Sequence, residues 1–342
     1  MSEHIKYMER CLQLSKLGLG NVAPNPMVGS VIVHNNKIIG EGYHQQYGQA
    51  HAEVNAINAV ANQSLLAKAT LYVNLEPCCF TGKTPPCSEL IIKHNIPKVV
   101  IGMRDPFHKV NGDGIDQLQK AGIEVIEGIL EEECRELNKR FITFHQHKRP
   151  YIILKWAQTA NGFFAPSDNS QYWITNEECQ MLNHKWRSEE QAILIGTLTA
   201  LIDNPRLNVR LWKGNNPLRI VIDSDNRLPG NLNLFDNSQP TWVLNLSKEA
   251  TKDKVSWKKI NDKKLLLDEL MQMLVKANIQ SLIVEGGSNT IQNFINANLW
   301  DEARVFTGTK ILPHGIACPQ LVAQNVIEKS IGNNRLNVFT KE

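Results

Sequence analysis

Three side chains in the first hundred residues could together bind one soft metal ion. His51 opens the stretch HAE, and Cys78 and Cys87 delimit the stretch CCFTGKTPPC. A catalytic zinc site uses three protein ligands and leaves a fourth position for water. Glu53 lies two residues after His51, where its carboxylate can take a proton from a metal-bound water and pass it to a leaving amine. The pattern predicts Zn²⁺ on His51, Cys78 and Cys87, with Glu53 as the catalytic residue.

The spacing of the two cysteines is unusual for this kind of site. H-x-E followed by P-C and a later cysteine is typical of zinc-dependent nucleobase deaminases, in which two residues usually separate the cysteines. Eight residues separate Cys78 from Cys87 here, and two prolines place Cys87 at a helix start that favours its thiolate. An alternative is a structural zinc with Cys79 as fourth ligand. That alternative is disfavoured because adjacent side chains at a strand end point in opposite directions.

Composition limits the class of protein. A chain of 342 residues with 42% hydrophobic residues suits two globular domains of about 150 residues each. The formal net charge of +3 does not indicate a nucleic-acid-binding protein, and we see no membrane-spanning run or signal peptide. We therefore expect a cytoplasmic protein with a small-molecule partner, no nucleic acid and no membrane. Reduced thiols fit that compartment, and the four isolated cysteines are interpreted as core residues. They are Cys11, Cys134, Cys179 and Cys318.

Hydrophobic periodicity predicts an α/β protein in both halves. Strand-like stretches at 28–34 and 37–44 flank Asn35-Asn36 and indicate a hairpin, and helical and strand-like stretches alternate from there to a helix at 131–145. The polar segment 146–150 ends in proline and is the predicted domain boundary. A second series of strands and helices follows it.

Seven motifs together resemble the bifunctional riboflavin-biosynthesis deaminase/reductase family of bacteria, over nearly the whole chain. They are HAE, LEPCCFTGKTPPC, APNPMVGSVIV, DGIDQLQKAGIEV, GTLTALIDNPRLNVR, RIVIDS and IVEGGSNTIQNF. The resemblance implies an N-terminal cytidine-deaminase-like α/β/α domain at 1–147 and a C-terminal dihydrofolate-reductase-like α/β domain at 148–342. It also implies two consecutive reactions. Zinc-dependent hydrolysis would remove the 2-amino group of a diaminopyrimidinone that carries ribosylamine 5′-phosphate, and NADPH would then reduce the ribosyl group to ribityl. Self-association into a homo-oligomer is expected by the same analogy.

Three residues are candidates for substrate binding in the first domain. Asn25 precedes a strand and can bond the base edge, or it can be a turn residue. His44 follows the hairpin and can contact the substrate, or it can be an ordinary surface histidine. Lys83 lies between Gly82 and Thr84 and suits a phosphate as a point charge, or it can be a solvated lysine.

The resemblance also assigns contacts in the second domain. The stretch EGGSNTIQNF is a glycine-rich strand-to-helix turn that can approach a pyrophosphate or can be purely structural. The implied cofactor contacts are Ala157, Trp173, Thr199, Asp203, Ser224, Gly287, Ser288, Asn289, Thr290, Ile291, Gln292 and Asn293. The implied substrate contacts are Gln171, Arg187, Leu207, Arg210 and Glu285, with the two arginines as phosphate anchors.

Two positions depart from the family pattern. Cys79-Phe80 stands where Ser-His is common, which removes any contact through that histidine. Asn161 stands where an aspartate is common, and we interpret it as a turn residue before Gly162.

Other hypotheses for the function of the chain are a deaminase whose second domain only binds a ligand, a nucleic-acid deaminase, and a scaffold with a structural zinc.

Overall fold

The computed structural model describes residues 2–82, 85–107, 110–168, 170–323 and 325–341. The chain divides into two compact units, Met1–Lys148 and Arg149–Glu342. The division falls inside the polar segment 146–150.

The first unit is a sheet with helices on both faces. Its five strands have the order β2-β1-β3-β4-β5, in which β1 is antiparallel to both of its neighbours and β3, β4 and β5 are parallel. Its elements are α1 (Ser2–Ser15), β1 (Gly29–His34), β2 (Lys37–Tyr43), α2 (Ala52–Asn58), β3 (Thr70–Leu75), α3 (Cys87–Lys93), β4 (Lys98–Met103), α4 (Asp113–Lys120), β5 (Glu124–Ile126), α5 (Glu131–Leu137) and α6 (Lys139–His147).

Two hydrophobic clusters cover the two faces of this sheet. One joins α2, α3 and α4 to one face, through residues such as Ile57, Ile91 and Leu118. The other joins α1, α5 and α6 to the opposite face, through residues such as Met8 and Cys134. The predicted α/β/α layering of the first domain is confirmed.

Two local predictions have different outcomes. The hairpin is confirmed, because Asn35 and Asn36 have φ values of 47° and 60° between the paired β1 and β2. The single helix predicted at 131–145 is wrong, since it is two helices, α5 and α6. The break lies at the buried Asn138, which accepts from the Met27 N–H at 2.8 Å and donates to the Met27 carbonyl at 3.0 Å. This long-range bond overrides the local helical pattern.

The second unit is built on a ten-stranded sheet. Its order is β11-β12-β10-β9-β8-β13-β6-β14-β17-β16, and the run from β12 to β14 is parallel. The strands are β6 (Tyr151–Gln158), β7 (Phe163–Ala165), β8 (Ala192–Gly196), β9 (Leu218–Ile222), β10 (Thr241–Asn245), β11 (Ala250–Lys252), β12 (Val255–Lys259), β13 (Ser281–Gly286), β14 (Glu302–Thr307), β15 (Ile316–Ala317), β16 (Asn325–Ile331) and β17 (Asn334–Thr340). Strands β7 and β15 are not part of the large sheet but pair with each other in a separate two-stranded sheet. The helices are α7 (Glu177–Glu189), α8 (Thr197–Asp203), α9 (Leu266–Lys276) and α10 (Ser288–Asn296).

The parallel strands of the second unit are buried between helices. One hydrophobic cluster packs α9 and α10 on one face, and a second packs α7 and α8 on the other. None of the helices in the described ranges combines the length and the apolar character that crossing a bilayer requires.

Candidate functional site

The zinc-ligand candidates converge because several strand ends meet at one edge of the five-stranded sheet. Strands β2, β3 and β4 end there, and β1 begins there because it runs antiparallel to β2 and β3. His44 directly follows β2, Cys78 follows β3 by three residues, and Asn25 precedes β1. The fold therefore gathers residues that are far apart in the chain at this edge.

The three predicted metal ligands form one compact group. His51 Nδ1 lies 3.6 Å from Cys78 Sγ and 3.3 Å from Cys87 Sγ, and the three atoms are all within 4.8 Å of one another. Nitrogen and sulfur ligands on one tetrahedral zinc ion are about 3.6 Å apart, given typical bond lengths. Among the described residues this is the group able to share an ion, and Cys79 is not a member, so the alternative with Cys79 as a ligand is not supported. The donor set fits zinc.

Local backbone geometry sets the ligand positions. His51 caps the N-terminus of α2 in an extended conformation, and Cys87 is the first residue of α3. The Cys87 N–H donates to Cys78 Sγ at 3.3 Å, and Ser88 donates to the Cys78 carbonyl through both its N–H and its hydroxyl. Hydrogen bonds with the Cys87 side chain and with His51 lower the pKa of Cys78 to about 4 against the opposing effect of burial, which favours the metal-binding thiolate.

Glu53 lies beside this group in the first turn of α2. Its side chain is buried in the first turn of the helix. Burial raises the pKa of Glu53 to about 6, because desolvation outweighs the attraction of His51. A carboxyl group with a pKa near neutrality can both accept and return a proton.

Asn25 and His44 form a hydrogen-bonded pair at the same edge. His44 Nδ1 lies 3.0 Å from the Ala50 carbonyl, which can only accept, so Nδ1 carries the proton. In the neutral ring Nε2 then accepts from Asn25 Nδ2 at 3.1 Å. The interpretation of His44 as a surface residue is wrong, since it is 2% exposed and its ring lies 5.5 Å from that of His51. The Lys83 prediction lies outside the described residues.

In the second unit, several cofactor candidates lie at the carboxyl edge of the parallel strands. Thr199 and Thr290 flank the glycine turn after β13. A Cβ atom on Gly287 would lie 3.2 Å from Thr199 Oγ1, and one on Gly196 would lie 2.5 Å from Thr290 Oγ1. Ala157 is in β6 and Ser224 follows β9, so both belong to the same edge. Such an edge is where open α/β sheets bind nucleotides.

Other cofactor candidates contribute in different ways. Ile291 is buried in the core, so it can face a cofactor through its backbone alone. Ser288 Oγ donates to the Ala317 carbonyl at 2.9 Å, and Gln292 Oε1 accepts from the Gln320 N–H at 2.7 Å. These two side chains hold the chain segment around β15. The remaining candidates have exposed side chains; they are Trp173, Asp203, Asn289 and Asn293.

Arg187 and Glu285 form a buried ion pair. Arg187 donates to Glu285 through Nε at 2.9 Å and through Nη2 at 2.7 Å, and Lys155 Nζ lies 4.0 Å from the same carboxylate. Burial alone would raise the pKa of Glu285, but Arg187 and Lys155 lower it to about 2. The sequence analysis missed Lys155, although a lone charge in the apolar strand YIILKWAQ is a usable signal.

The loop after α8 is attached to α7 by two residues. His184 Nδ1 accepts from the Arg210 N–H at 3.3 Å, and Arg187 Nη1 donates to the Asn208 carbonyl at 3.5 Å. The sequence analysis also missed His184, which is buried one turn before Arg187. Leu207 is buried in this loop with φ 51°, whereas Arg210 is exposed. The structure thus brings four predicted substrate contacts together, and Gln171 is exposed on a separate loop.

Asn161 has a structural role in this unit. Its Nδ2 donates to the Leu312 carbonyl at 2.7 Å, and its Oδ1 accepts from the Leu312 N–H at 3.2 Å and from Thr159 Oγ1 at 2.8 Å. An aspartate could not make the first of these bonds. Asn161 also lies in the predicted turn, since the Gly162 N–H donates to the Thr159 carbonyl at 3.0 Å and Gly162 has a φ of 84°.

Comparisons with known proteins cover both units. Residues 1–103 match the family model of the cytidine and deoxycytidylate deaminase zinc-binding region, and residues 150–331 match that of the RibD C-terminal domain. The chain is 39% identical over 318 residues to the riboflavin biosynthesis protein RibD of Actinobacillus pleuropneumoniae, covering 90% of this chain and 84% of the relative. It is 36% identical over 323 residues to RibD of Escherichia coli K12, covering 90% and 88%.

Solved structures agree with these matches. A Thermotoga maritima structure described as a diaminohydroxyphosphoribosylaminopyrimidine deaminase/5-amino-6-(5-phosphoribosylamino)uracil reductase has a TM-score of 0.91 at 35% identity, covering 99% of each chain. A structure of Acinetobacter baumannii RibD has a TM-score of 0.88 at 30% identity, covering 100% of this chain and 99% of that one. The nucleic-acid deaminase and scaffold hypotheses are therefore wrong.

Proposed function

The chain belongs to the RibD family of riboflavin biosynthesis, whose members join a zinc-dependent deaminase to an NADPH-dependent reductase, and we propose how its residues divide the two reactions. Residues 1–147 remove the 2-amino group of a diaminopyrimidinone that carries ribosylamine 5′-phosphate. Residues 148–342 then reduce the ribosyl group to ribityl. The observation that supports the first assignment most strongly is the group of His51, Cys78 and Cys87 within 4.8 Å, with the buried Glu53 beside it.

In the deaminase site, three protein ligands hold the metal and Glu53 moves the proton. Zinc held by these ligands would supply a Lewis acid that makes a water nucleophilic near neutral pH. Glu53 would take a proton from the attacking water as the water oxygen bonds to C2 of the base. The carboxyl group then gives the proton to the departing nitrogen, so that the C–N bond breaks and ammonia leaves.

The Asn25–His44 pair orients the base. The Nδ2 group of Asn25 is directed to His44 Nε2, so its Oδ1 is the atom left to accept from a ring N–H of the substrate. The bond from His44 Nδ1 to the Ala50 carbonyl places the ring proton on Nδ1 and so fixes the tautomer. Burial lowers the pKa of His44, which supports the same neutral form. Lys83 contributes a charge for the substrate phosphate.

In the reductase site, the turn at Gly287 and the N-terminus of α10 receive the cofactor pyrophosphate through backbone N–H groups. The N-glycoside opens to an imine as the bond from C1 to the ring oxygen breaks and that oxygen becomes a hydroxyl. NADPH bound at this turn would supply a hydride to C1, and a proton would go to the imine nitrogen. The other cofactor contacts are Ala157, Trp173, Thr199, Asp203, Ser224, Ser288, Asn289, Thr290, Ile291, Gln292 and Asn293.

The substrate in the reductase site contacts charged groups at the end of β13. Arg210 is one proposed phosphate anchor, because its guanidinium is exposed and can bind an anion. His184 holds the loop of Arg210 through the Arg210 N–H. Arg187 is the second proposed phosphate anchor, and it also pairs with Glu285 and bonds the Asn208 carbonyl of the same loop. Glu285 bonds a hydroxyl or amino group of the substrate. Leu207 and, from its separate loop, Gln171 are the other proposed substrate contacts. We place the enzyme in the cytoplasm as a homo-oligomer that acts on small molecules, without nucleic acid or membrane partners.

Removal of zinc tests whether deamination and reduction are divided between the two units as proposed. Treatment with a chelator is expected to abolish ammonia release from the diaminopyrimidinone nucleotide, while NADPH oxidation with the already deaminated ribosylaminouracil phosphate continues. The physical reason is that the proposed zinc ligands all lie in the first unit, whereas the sheet of the second unit is built without them. Ammonia is measured enzymatically and NADPH by absorbance.

Restoring one equivalent of zinc is the control, and it should recover ammonia release. Two results would contradict the proposal. One is undiminished ammonia release from protein shown to lack zinc. The other is parallel loss of NADPH oxidation with the deaminated compound.

A further inference from the structure

Glu76 is a buried carboxylate that the proposed chemistry does not use. It directly follows β3, lies two residues before the ligand Cys78, and is 3% exposed. Four backbone N–H groups donate to its two carboxylate oxygens at 3.0 to 3.3 Å. They belong to Asp105, Gly112, Gly114 and Ile115.

These donors connect three separate pieces of the fold. Gly114 and Ile115 lie in the first turn of α4, Gly112 caps that helix, and Asp105 follows β4. The first N–H groups of a helix have no partner within the helix, and a carboxylate there is also favoured by the helix dipole. Glu76 therefore accepts hydrogen bonds from N–H groups at the start of α4 that have no partner within the helix. Its own carboxylate is held in place by all four N–H donors.

The same helix contacts the chain between Glu76 and the metal ligand. A Cβ atom on Gly114 would lie 2.1 Å from the Pro77 carbonyl oxygen, so the helix packs directly on Pro77. On the other side of the ligand, Ser88 Oγ lies 3.0 Å from the Cys78 carbonyl oxygen and 2.7 Å from Gln117 Oε1 of α4, so its single hydroxyl proton is shared between these two acceptors. The position of Cys78 thus depends on the hydrogen bonds by which Glu76 holds residues 76–78 against α4.

We infer that Glu76 is a positioning residue for the zinc site. By holding residues 76–78 on the start of α4, it sets the distance of Cys78 Sγ from His51 and Cys87 before the metal binds. Groups that orient a metal ligand from outside the coordination sphere typically change metal affinity about 10-fold to 100-fold when they are replaced. The inference rests on the proposed zinc-dependent deaminase.

Glu76→Gln tests this inference, because the amide keeps the shape of the side chain but turns one acceptor into a donor that faces N–H groups. We expect zinc affinity, measured by competition with a chromophoric chelator, to fall by about 10-fold or more. We also expect the visible absorption of the cobalt-substituted protein to shift, since that band reports ligand geometry. Asp113→Asn is the matched control. It removes an exposed carboxylate from the first turn of the same helix and should leave both readouts unchanged.

A folded Glu76→Gln protein with wild-type zinc affinity and an unchanged cobalt spectrum would overturn the inference alone. If Glu76→Gln does not fold, Glu76→Asp is measured instead. It keeps the charge but is too short to reach all four donors, so it should show the same two changes. Wild-type protein that binds no zinc would overturn the proposed deaminase function and this inference with it.

Discussion

Glu53→Gln is expected to lower the rate of ammonia release by about 10³-fold while zinc stays bound. Glutamine has nearly the same shape as glutamate but cannot take a proton from water or deliver one to a leaving amine. The side chain is not one of the three grouped ligand candidates, so the ligand set remains intact. The rate is measured in single turnovers, and the zinc content is measured on the same sample. NADPH oxidation started from the deaminated compound should be unaffected.

Glu89→Gln is the matched control for this variant. Glu89 lies in the first turn of α3, as Glu53 lies in the first turn of α2, but it is exposed. Its substitution should leave ammonia release unchanged. The proton-transfer role of Glu53 would be contradicted if Glu53→Gln, with full zinc occupancy, kept more than a tenth of the wild-type rate.

Glu285→Gln is expected to lower the free energy of unfolding of the second unit by about 3 kcal/mol or more. The side chain of Glu285 is 7% exposed and that of Arg187 is 10% exposed, so the substitution leaves Arg187 and Lys155 as buried cations without their common anion. All seven tryptophans lie after residue 150, so tryptophan fluorescence in a denaturant titration reports this unit alone. Reductase activity should fall as well, because the same carboxylate is a proposed substrate contact.

The control for this variant is an exposed ion pair in the same unit. Glu328 and Arg335 lie 3.6 Å apart with side chains that are 58% and 54% exposed. Glu328→Gln should change the free energy of unfolding by less than about 1 kcal/mol, since exposed pairs contribute little. Equal effects of the two substitutions would contradict the buried-pair account.

The low pKa of Glu285 also predicts how the stability difference between wild type and Glu285→Gln depends on pH. Its pKa is about 2 in the folded protein, below the ordinary value of 4.5. A depressed pKa of an acid contributes stability above the ordinary pKa, and this contribution disappears as the pH falls from about 4.5 towards 2. The stability difference between wild type and Glu285→Gln should therefore be full at pH 7 and shrink below pH 4.5. A difference that grows on acidification would contradict the assignment.

Local signals in the sequence were sufficient for much of the fold. Period-two and period-3.6 patterns located the strands of the first sheet, and the Asn35-Asn36 pair located its hairpin. Seven strands in the described part of the second unit were not predicted; they are β7, β11, β12, β14, β15, β16 and β17. For β16 the reason is physical. Most residues of β16 are exposed at the sheet edge, so no hydrophobic period marks that strand. The break at Asn138 depends on Met27, which is 111 residues away.

The site could be predicted where the residue types are chemically distinctive. Histidine and cysteine ligands, with a carboxylate next to them, point to zinc chemistry without any knowledge of the fold. The residues that hold such groups carry no comparable signal. Glu76 and His184 accept hydrogen bonds from backbone N–H groups of segments that are distant in the chain. Because every residue except proline has a backbone N–H, such a bond leaves no signal in the residue types of the donor segment. These contacts emerge only from the tertiary structure.

The most direct test of the account follows ammonia release and NADPH absorbance together. One reaction contains zinc-loaded protein, NADPH and the diaminopyrimidinone nucleotide. Ammonia is expected to appear first, NADPH loss is expected to follow after a lag, and both should reach one equivalent per substrate. Absence of ammonia from zinc-loaded protein, or NADPH loss that precedes ammonia release, would contradict this expectation.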